Sequence, residues 1–196
     1  GDLEALVDGD LRLNYSELLE HVDEAARSLI ALDIKLGDRV AIWAQNIAEW
    51  VIAACAIHRS GAVLVPLNTR FKRSEATYIL KNAGVKLLFT ISDFLGTDYV
   101  ELLGDRSTVP SLEHVVLLRG PSRPNTVSWP EFIEMSSQVS AESAEVRSKA
   151  IAPDDLCDIL FTSGTTGLPK GAMLTHSASV RAYWSWSTVV GLTKGD

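Results

Sequence analysis

The stretch "ILFTSGTTGLPKGAMLTH", Ile159 to His176, sets two apolar runs around a segment of different character. Ser163 to Lys170 hold three hydroxyls, two glycines, one proline and one lysine. Glycines let the backbone turn several N–H groups toward one point; hydroxyls add donors and lysine adds a positive charge. Such a set suits an anion of the phosphate type. The flanks "ILFT" and "AMLTH" read as extended, so the segment is predicted to be a loop between two strands.

The spacing is close to a Walker phosphate loop and departs from it in three places. Gly164 and Lys170 have the right separation, but Pro169 stands where the second glycine belongs. Gly171 replaces the hydroxyl that would hold magnesium, and an extended run follows where a helix should start. A Walker nucleotidase is therefore a poor reading. Phosphate chemistry remains, through Thr162, Ser163, Thr165, Thr166 and Lys170, with Gly164 and Gly167 shaping the backbone and Pro169 stiffening the approach. Composition alone also fits a Gly/Thr-rich hairpin carrying one solvated lysine.

Upstream, the chain alternates. "LEALV", the turn "DGD" and "LRL" predict two short strands. Asn14 with Glu17 three positions on is a capping-box pattern opening an amphipathic helix, whose apolar face runs Tyr15, Leu18, Leu19, Val22, Ala25, Ala26, Leu29, Ile30. "RVAIWA", "AVLVPL", "VKLLFT" and "HVVLLR" read as buried strands, separated by helical segments. The first, capped by Asn46 with Glu49 and ending at Gly61, is apolar nearly all round; the second is "SEATYILKNAG"; the third lies around "DYVELL". Strands without alternating polarity, each followed by a helix, predict an α/β fold with a parallel sheet flanked by helices on both faces. "GPSRPNT" is a loop, "SWPEFIEM" starts a capped helix, and "SSQVSAESAEVRSKA" is polar and expected to be exposed. "LCDILFT" then opens what is expected to be a second sheet carrying the phosphate loop. The sub-units are a first α/β unit over 1–120, a connector over 121–152 and a phosphate-loop segment over 153–196.

Bulk properties narrow the function classes. A net charge of −7 argues against a nucleic-acid binder; the basic cluster, "RFKR" from Arg70 to Arg73, is expected to be a solvated connection more than an anion site. The longest apolar run, Trp50 to Ile57, is far too short to span a bilayer. The acidic start "GDLEALVDGD" has no signal-peptide character. Cys55 and Cys157 lack metal or redox spacing and are expected to be buried free thiols in a reducing cytoplasm.

"LFTSGTTGLPKGAMLTH" resembles the phosphate-loop signature of the AMP-forming acyl-adenylate superfamily, which includes acyl-CoA synthetases. "LNYSELLE" and "HRSGAVLVPLNTRF" resemble its earlier helix motifs, in the same order, so the resemblance covers essentially the whole chain. It implies the N-terminal part of an ATP-dependent ligase, of the fatty-acid-CoA type, with ATP and Mg2+ as cofactors and CoA as co-substrate. A carboxylic acid attacks the ATP α-phosphate, pyrophosphate leaves, and the acyl group passes to a thiol. Carried over by position, Thr162, Ser163, Gly164, Thr165, Thr166 and Lys170 would hold the departing phosphates, Gly167 and Gly171 would be conformational, and Thr162 would touch magnesium. His176 has the family's "TH" but not its "HxN" continuation, which favours a supporting or capping role. Tyr183, Trp184 and Trp186 are expected in helix core.

No catalytic residue is expected among these 196 residues. The family's adenine motif, ribose aspartate, hinge and catalytic lysine have no counterpart up to Asp196. The chain alone is expected to be inactive and prone to self-association. The alternative is a binding module that keeps the nucleotide fold without the chemistry.

Overall fold

The computed structural model describes residues 1–162 and 168–193. Strands β1 (Glu4–Asp8) and β2 (Leu11–Asn14) form an antiparallel hairpin turning through Gly9. Helix α1 (Tyr15–Ala31) begins at the predicted capping box: Asn14 Oδ1 accepts from the Ser16 and Glu17 amides at 2.8 and 3.0 Å, and Glu17 Oε2 accepts from the Asn14 amide at 2.8 Å. Two orphan amides at the helix start are thereby satisfied, together with the cap's own N–H. The helix buries Val22, Ala25, Ala26 and Leu29, whereas Tyr15 and Leu19 of the predicted face remain exposed.

The alternating segments form α2 (Ala48–Arg59), α3 (Arg73–Ala83) and α4 (Tyr99–Leu103) between strands β3 (Arg39–Trp43), β4 (Val63–Pro66), β5 (Val85–Ile91) and β6 (His114–Arg119). Every apolar residue of β3 and β5 is buried, as a sheet covered on both faces requires. The start of α2 differs from the prediction. Ile47 holds the cap position and Asn46 makes no cap; instead Asp8 Oδ2, from β1, accepts from the Ala48 amide at 2.9 Å. Glu49, the expected capping partner, accepts from Arg119 at the end of β6. A tertiary carboxylate has displaced the local one. Gly84 ends α3 at φ +62, and a Cβ there would come 2.7 Å from the Arg39 guanidinium, which donates to the Ala83 and Gly84 carbonyls.

The segment after Gly120 supplies β7 (Val127–Ser128), parallel to β6, then α5 (Trp129–Glu134) and α6 (Ala141–Lys149). Phe132 is fully buried and packs edge-on against Phe89 of β5, with ring centroids 5.3 Å apart. By contrast α6 has no buried residue, matching its polar sequence.

Strands β8 (Leu156–Thr162) and β9 (Lys170–Thr175) and helix α7 (His176–Val190) complete the described chain. The expected second sheet does not appear. β8 joins the same sheet, parallel to β4, giving the order β7-β6-β5-β3-β4-β8-β9. The edge of β4 is open to it, and burial of Cys157 and Ile159 draws β8 onto that edge. β9 is antiparallel to β8 and forms the sheet's other margin, so "AMLTH" is extended as predicted.

Candidate functional site

Thr162 is the last residue of β8 and Lys170 the first of β9, and the two are directly paired. Thr162 Oγ1 lies 3.4 Å from the Lys170 carbonyl, and both side chains are exposed. Ser163, Gly164, Thr165, Thr166 and Gly167 lie outside the described residues. The pair sits at the carboxyl end of β8 beside the carboxyl end of β4. Parallel α/β sheets bind ligands at such edges, where strand N–H groups and connecting loops converge. A cavity of about 570 Å³ opens there, walled by Pro66, Asn68, Phe71, Leu160 and Phe161, with Arg70 on its rim.

The basic cluster is largely structural. Lys72 takes the cap position of α3, where its amide donates to Glu75 at 3.0 Å, and Arg73 donates to the Glu101 and Leu102 carbonyls of α4. Gly171 serves close approach, since a Cβ would stand 2.8 Å from Ile159 Cγ2 across the hairpin.

Behind the hairpin lies a cluster the sequence reading missed. Asp158, only 7% exposed, accepts from or shares a proton with His58 Nε2 of α2 at 2.9 Å, and accepts from Ser179 Oγ of α7 at 3.1 Å. Burial by itself would raise the Asp158 carboxyl, but the hydrogen bond and charge of His58, with Cys157 and Ser179 also donating, bring it below its usual value. Cys157 shows the converse: burial and the neighbouring carboxylate push its thiol up to about 12. His58, Cys157 and Asp158 present donor atoms within 4.8 Å of one another, a set of types that zinc accepts. In this structure the 2.9 Å contact is a direct hydrogen bond between His58 and Asp158. Asp158, His58 and Ser179 are joined by hydrogen bonds.

His176 opens α7, but Thr175 is the cap, with its hydroxyl accepting from the Ala178 amide at 3.3 Å. The expected capping role therefore belongs to its neighbour. The His176 ring stands edge-on to His58 with centroids 6.0 Å apart, and its Nε2 is buried without a partner among the described residues. Burial and the nearby His58 lower its pKa. Two further expectations are corrected. Cys55 is exposed, because α2 turns that side outward. Tyr183, Trp184 and Trp186 are 71%, 75% and 60% exposed, since α7 meets the sheet through the side bearing Ser179.

The profile of the family described as AMP-binding enzyme matches residues 1–196, the whole chain. The chain belongs to the AMP-binding enzyme family. The chain is 44% identical over 195 residues to the "3-[(3aS,4S,7aS)-7a-methyl-1,5-dioxo-octahydro-1H-inden-4-yl]propanoyl:CoA ligase" of Mycobacterium tuberculosis (strain ATCC 25618 / H37Rv), covering 100% of this chain and 38% of that protein. A ligase of the same description from Rhodococcus jostii (strain RHA1) is 38% identical over 200 residues, covering 100% and 39%. Among solved structures, the inhibitor-bound N-terminal domain of FACL13 from Mycobacterium tuberculosis superposes with a TM-score of 0.76 at 28% identity, over 95% of this chain and 44% of that one. The chain thus spans about two fifths of the length of the curated relatives it matches. Its α/β architecture is that of N-terminal domains of acyl-CoA ligases. Among the described residues, no helix is long and apolar enough to cross a membrane.

Proposed function

We propose that this chain is the phosphate-gripping part of an AMP-forming acyl-CoA synthetase, an acid–thiol ligase. The pairing of Thr162 with Lys170 at the carboxyl edge of the parallel sheet carries the reading. Carboxyl edges of α/β sheets are where nucleotides are received, and the pair at that edge supports the reading. Lys170 is exposed there and carries its ammonium on a flexible stem. Thr162, Ser163, Gly164, Thr165, Thr166 and Gly167 add hydroxyls and backbone amides. Their work is electrostatic, matching charge that accumulates on pyrophosphate as the acid's carboxylate attacks the ATP α-phosphate. Magnesium on the ATP phosphates takes oxygen ligands, and the exposed Thr162 hydroxyl fits as one of them. The acyl group then passes to CoA. The names of the two relatives, both propanoyl:CoA ligases of a fused-ring acid, support an acid with an apolar body as substrate. A cytoplasmic location suits a user of ATP and CoA.

The test is acid-dependent ATP–pyrophosphate exchange by the natural enzyme and its Lys170→Ala variant. Losing one well-placed charged donor costs about 3 kcal/mol at the transition state, roughly a hundredfold in rate. The KM for the acid should hardly move. Exchange at the wild-type rate in Lys170→Ala would remove the proposed role of the loop.

A further inference from the structure

The hairpin that carries Thr162 and Lys170 is held to the sheet by very little backbone. β3 and β4 share four register pairs, Arg39↔Val63 through Ile42↔Pro66, but β4 and β8 share a single one, Leu64↔Asp158. The same residue that makes that one backbone link also makes the side-chain links. Its carboxylate engages His58 of α2 and Ser179 of α7 at 2.9 and 3.1 Å.

A carboxylate is an odd occupant for a buried strand position. Burying it costs free energy that a hydrophobic residue would avoid, so the pair with His58 is weak evidence for stability and better evidence for geometry. The strand is also irregular at this point. The β8–β9 register shifts between Leu156 and Asp158, a bulge of the kind that re-aims a side chain, and Cys157 and Asp158 are both buried as a result. The carboxylate reaches the wall of an apolar cavity of about 550 Å³ between α2 and α7, lined by Trp50, Val51, Leu174 and Tyr183. Its hydrogen bonds are strengthened by that low-dielectric setting. Four residues on, about 13 Å at strand rise, the strand ends at Thr162 opposite Lys170. A tilt of β8 about Asp158 would move both ends of the loop together.

From this geometry we infer that Asp158, anchored by His58 and Ser179, is the positioning residue of the phosphate-gripping hairpin and sets where the Lys170 ammonium stands. The inference rests on the reading of that hairpin as the pyrophosphate grip. It involves no contact of Asp158 with substrate. Its effect is registered at Lys170, where a displacement of an ångström is enough to cost about a hundredfold in rate.

ATP–pyrophosphate exchange in the natural enzyme tests it, through Asp158→Asn, His58→Ala, His58→Gln and Ser179→Ala, each alone and combined with Lys170→Ala. Asp158→Asn and His58→Ala are expected to lower kcat on the order of tenfold with little change in the acid's KM. His58→Gln keeps a donor at similar reach and should retain most of the rate. In the Lys170→Ala background the same substitutions should cost almost nothing more, because the ammonium they displace is gone. Ser179→Ala leaves the charge paired and serves where Asp158→Asn folds poorly; it should show a smaller loss with the same non-additivity. Losses that simply multiply in the double variants, or wild-type rates in Asp158→Asn and Ser179→Ala, would overturn the inference while leaving the loop's own role intact. A silent Lys170→Ala would overturn both.

Discussion

Gly171 of β9 and Ile159 of β8 approach one another diagonally across the hairpin, so closely that a Cβ on the glycine would lie 2.8 Å from Ile159 Cγ2. Phe161, directly opposite the glycine in the register, would stand 3.2 Å from that Cβ. Ile159 is itself buried, so it has little room to withdraw. Gly171→Ala is expected to destabilise the chain by about 1–3 kcal/mol through overpacking, and Gly171→Val by more. Chemical denaturation of the two variants checks this; stabilities equal to wild type would mean the hairpin yields without cost.

Stability should fall in two stages as the pH drops. His176 resists protonation in the folded state, held below its usual 6.5 first by burial and then by the charge of His58. The unfolded chain takes up that proton more readily, so stability is full above about pH 6.5 and falls as the pH drops through that range. Asp158, with a net lowered carboxyl, adds a second fall in the carboxylate range as its folded pKa is crossed. Melting temperature against pH reads both. His176→Gln should abolish the first step and leave the second; a profile unchanged by that substitution would refute the assignment.

The segment between Gly120 and Ala152 contributes to the core as well as linking elements. Phe132 is fully buried against Phe89 and Trp129, with centroids 5.3 and 5.4 Å away. Phe132→Ala is expected to cost about 3–5 kcal/mol, the cost of a large buried aromatic plus its cavity. A surface substitution on α6 such as Ala141→Ser should stay within about 0.5 kcal/mol. Denaturant titration separates the two cases, and a Phe132→Ala loss as small as the surface change would disprove the packing argument.

The isolated 196 residues are expected to associate and to make no acyl-adenylate. β9 is an edge strand with Met173 66% exposed, and α7 presents Trp184 and Val189 at 75% and 85% exposure. An unpaired edge beside a wide apolar surface favours self-association. Light scattering should report species larger than a monomer, and Trp184→Lys should reduce them. Mass spectrometry after incubation with ATP and fatty acids should find no adenylate; a product, or a strict monomer at high concentration, goes against the expectation.

What was legible in the sequence was what is local. The Asn14–Glu17 box is written in four consecutive positions, and the apolar strands of the parallel sheet declare their burial residue by residue. Gly84, the last residue of "SEATYILKNAG", ends α3 by a signal that is likewise local. Misreadings came where a distant group intervened. Asp8 reaches across 40 positions to cap α2, so the local Asn46 signal was outcompeted. Nothing in "LCDILFT" distinguishes a strand that starts a new sheet from one that joins β4, because that choice lies with the partner edge. The Asp158 network was invisible for a related reason: a lone aspartate in a buried strand has meaning only when His58 is known to stand beside it. Thr162 and Lys170 were nominated by composition, and the sheet brings them together. Ser163, Gly164, Thr165, Thr166 and Gly167 were nominated by the same composition and by the resemblance, and they lie outside the described residues.

The order of strands also bears on how the chain is made. β4 must wait for β8, and His58 for Asp158, which lies 100 residues later. At synthesis rates of about 5–20 residues per second, that is roughly 5–20 s during which a nascent sheet carries an open flank. The margin is "VLVP", and its terminal Pro66 lacks an amide to offer to a stranger. A chain emerging from the ribosome is thus shielded at one end of its vulnerable strand and relies on the late arrival of β8 for the rest.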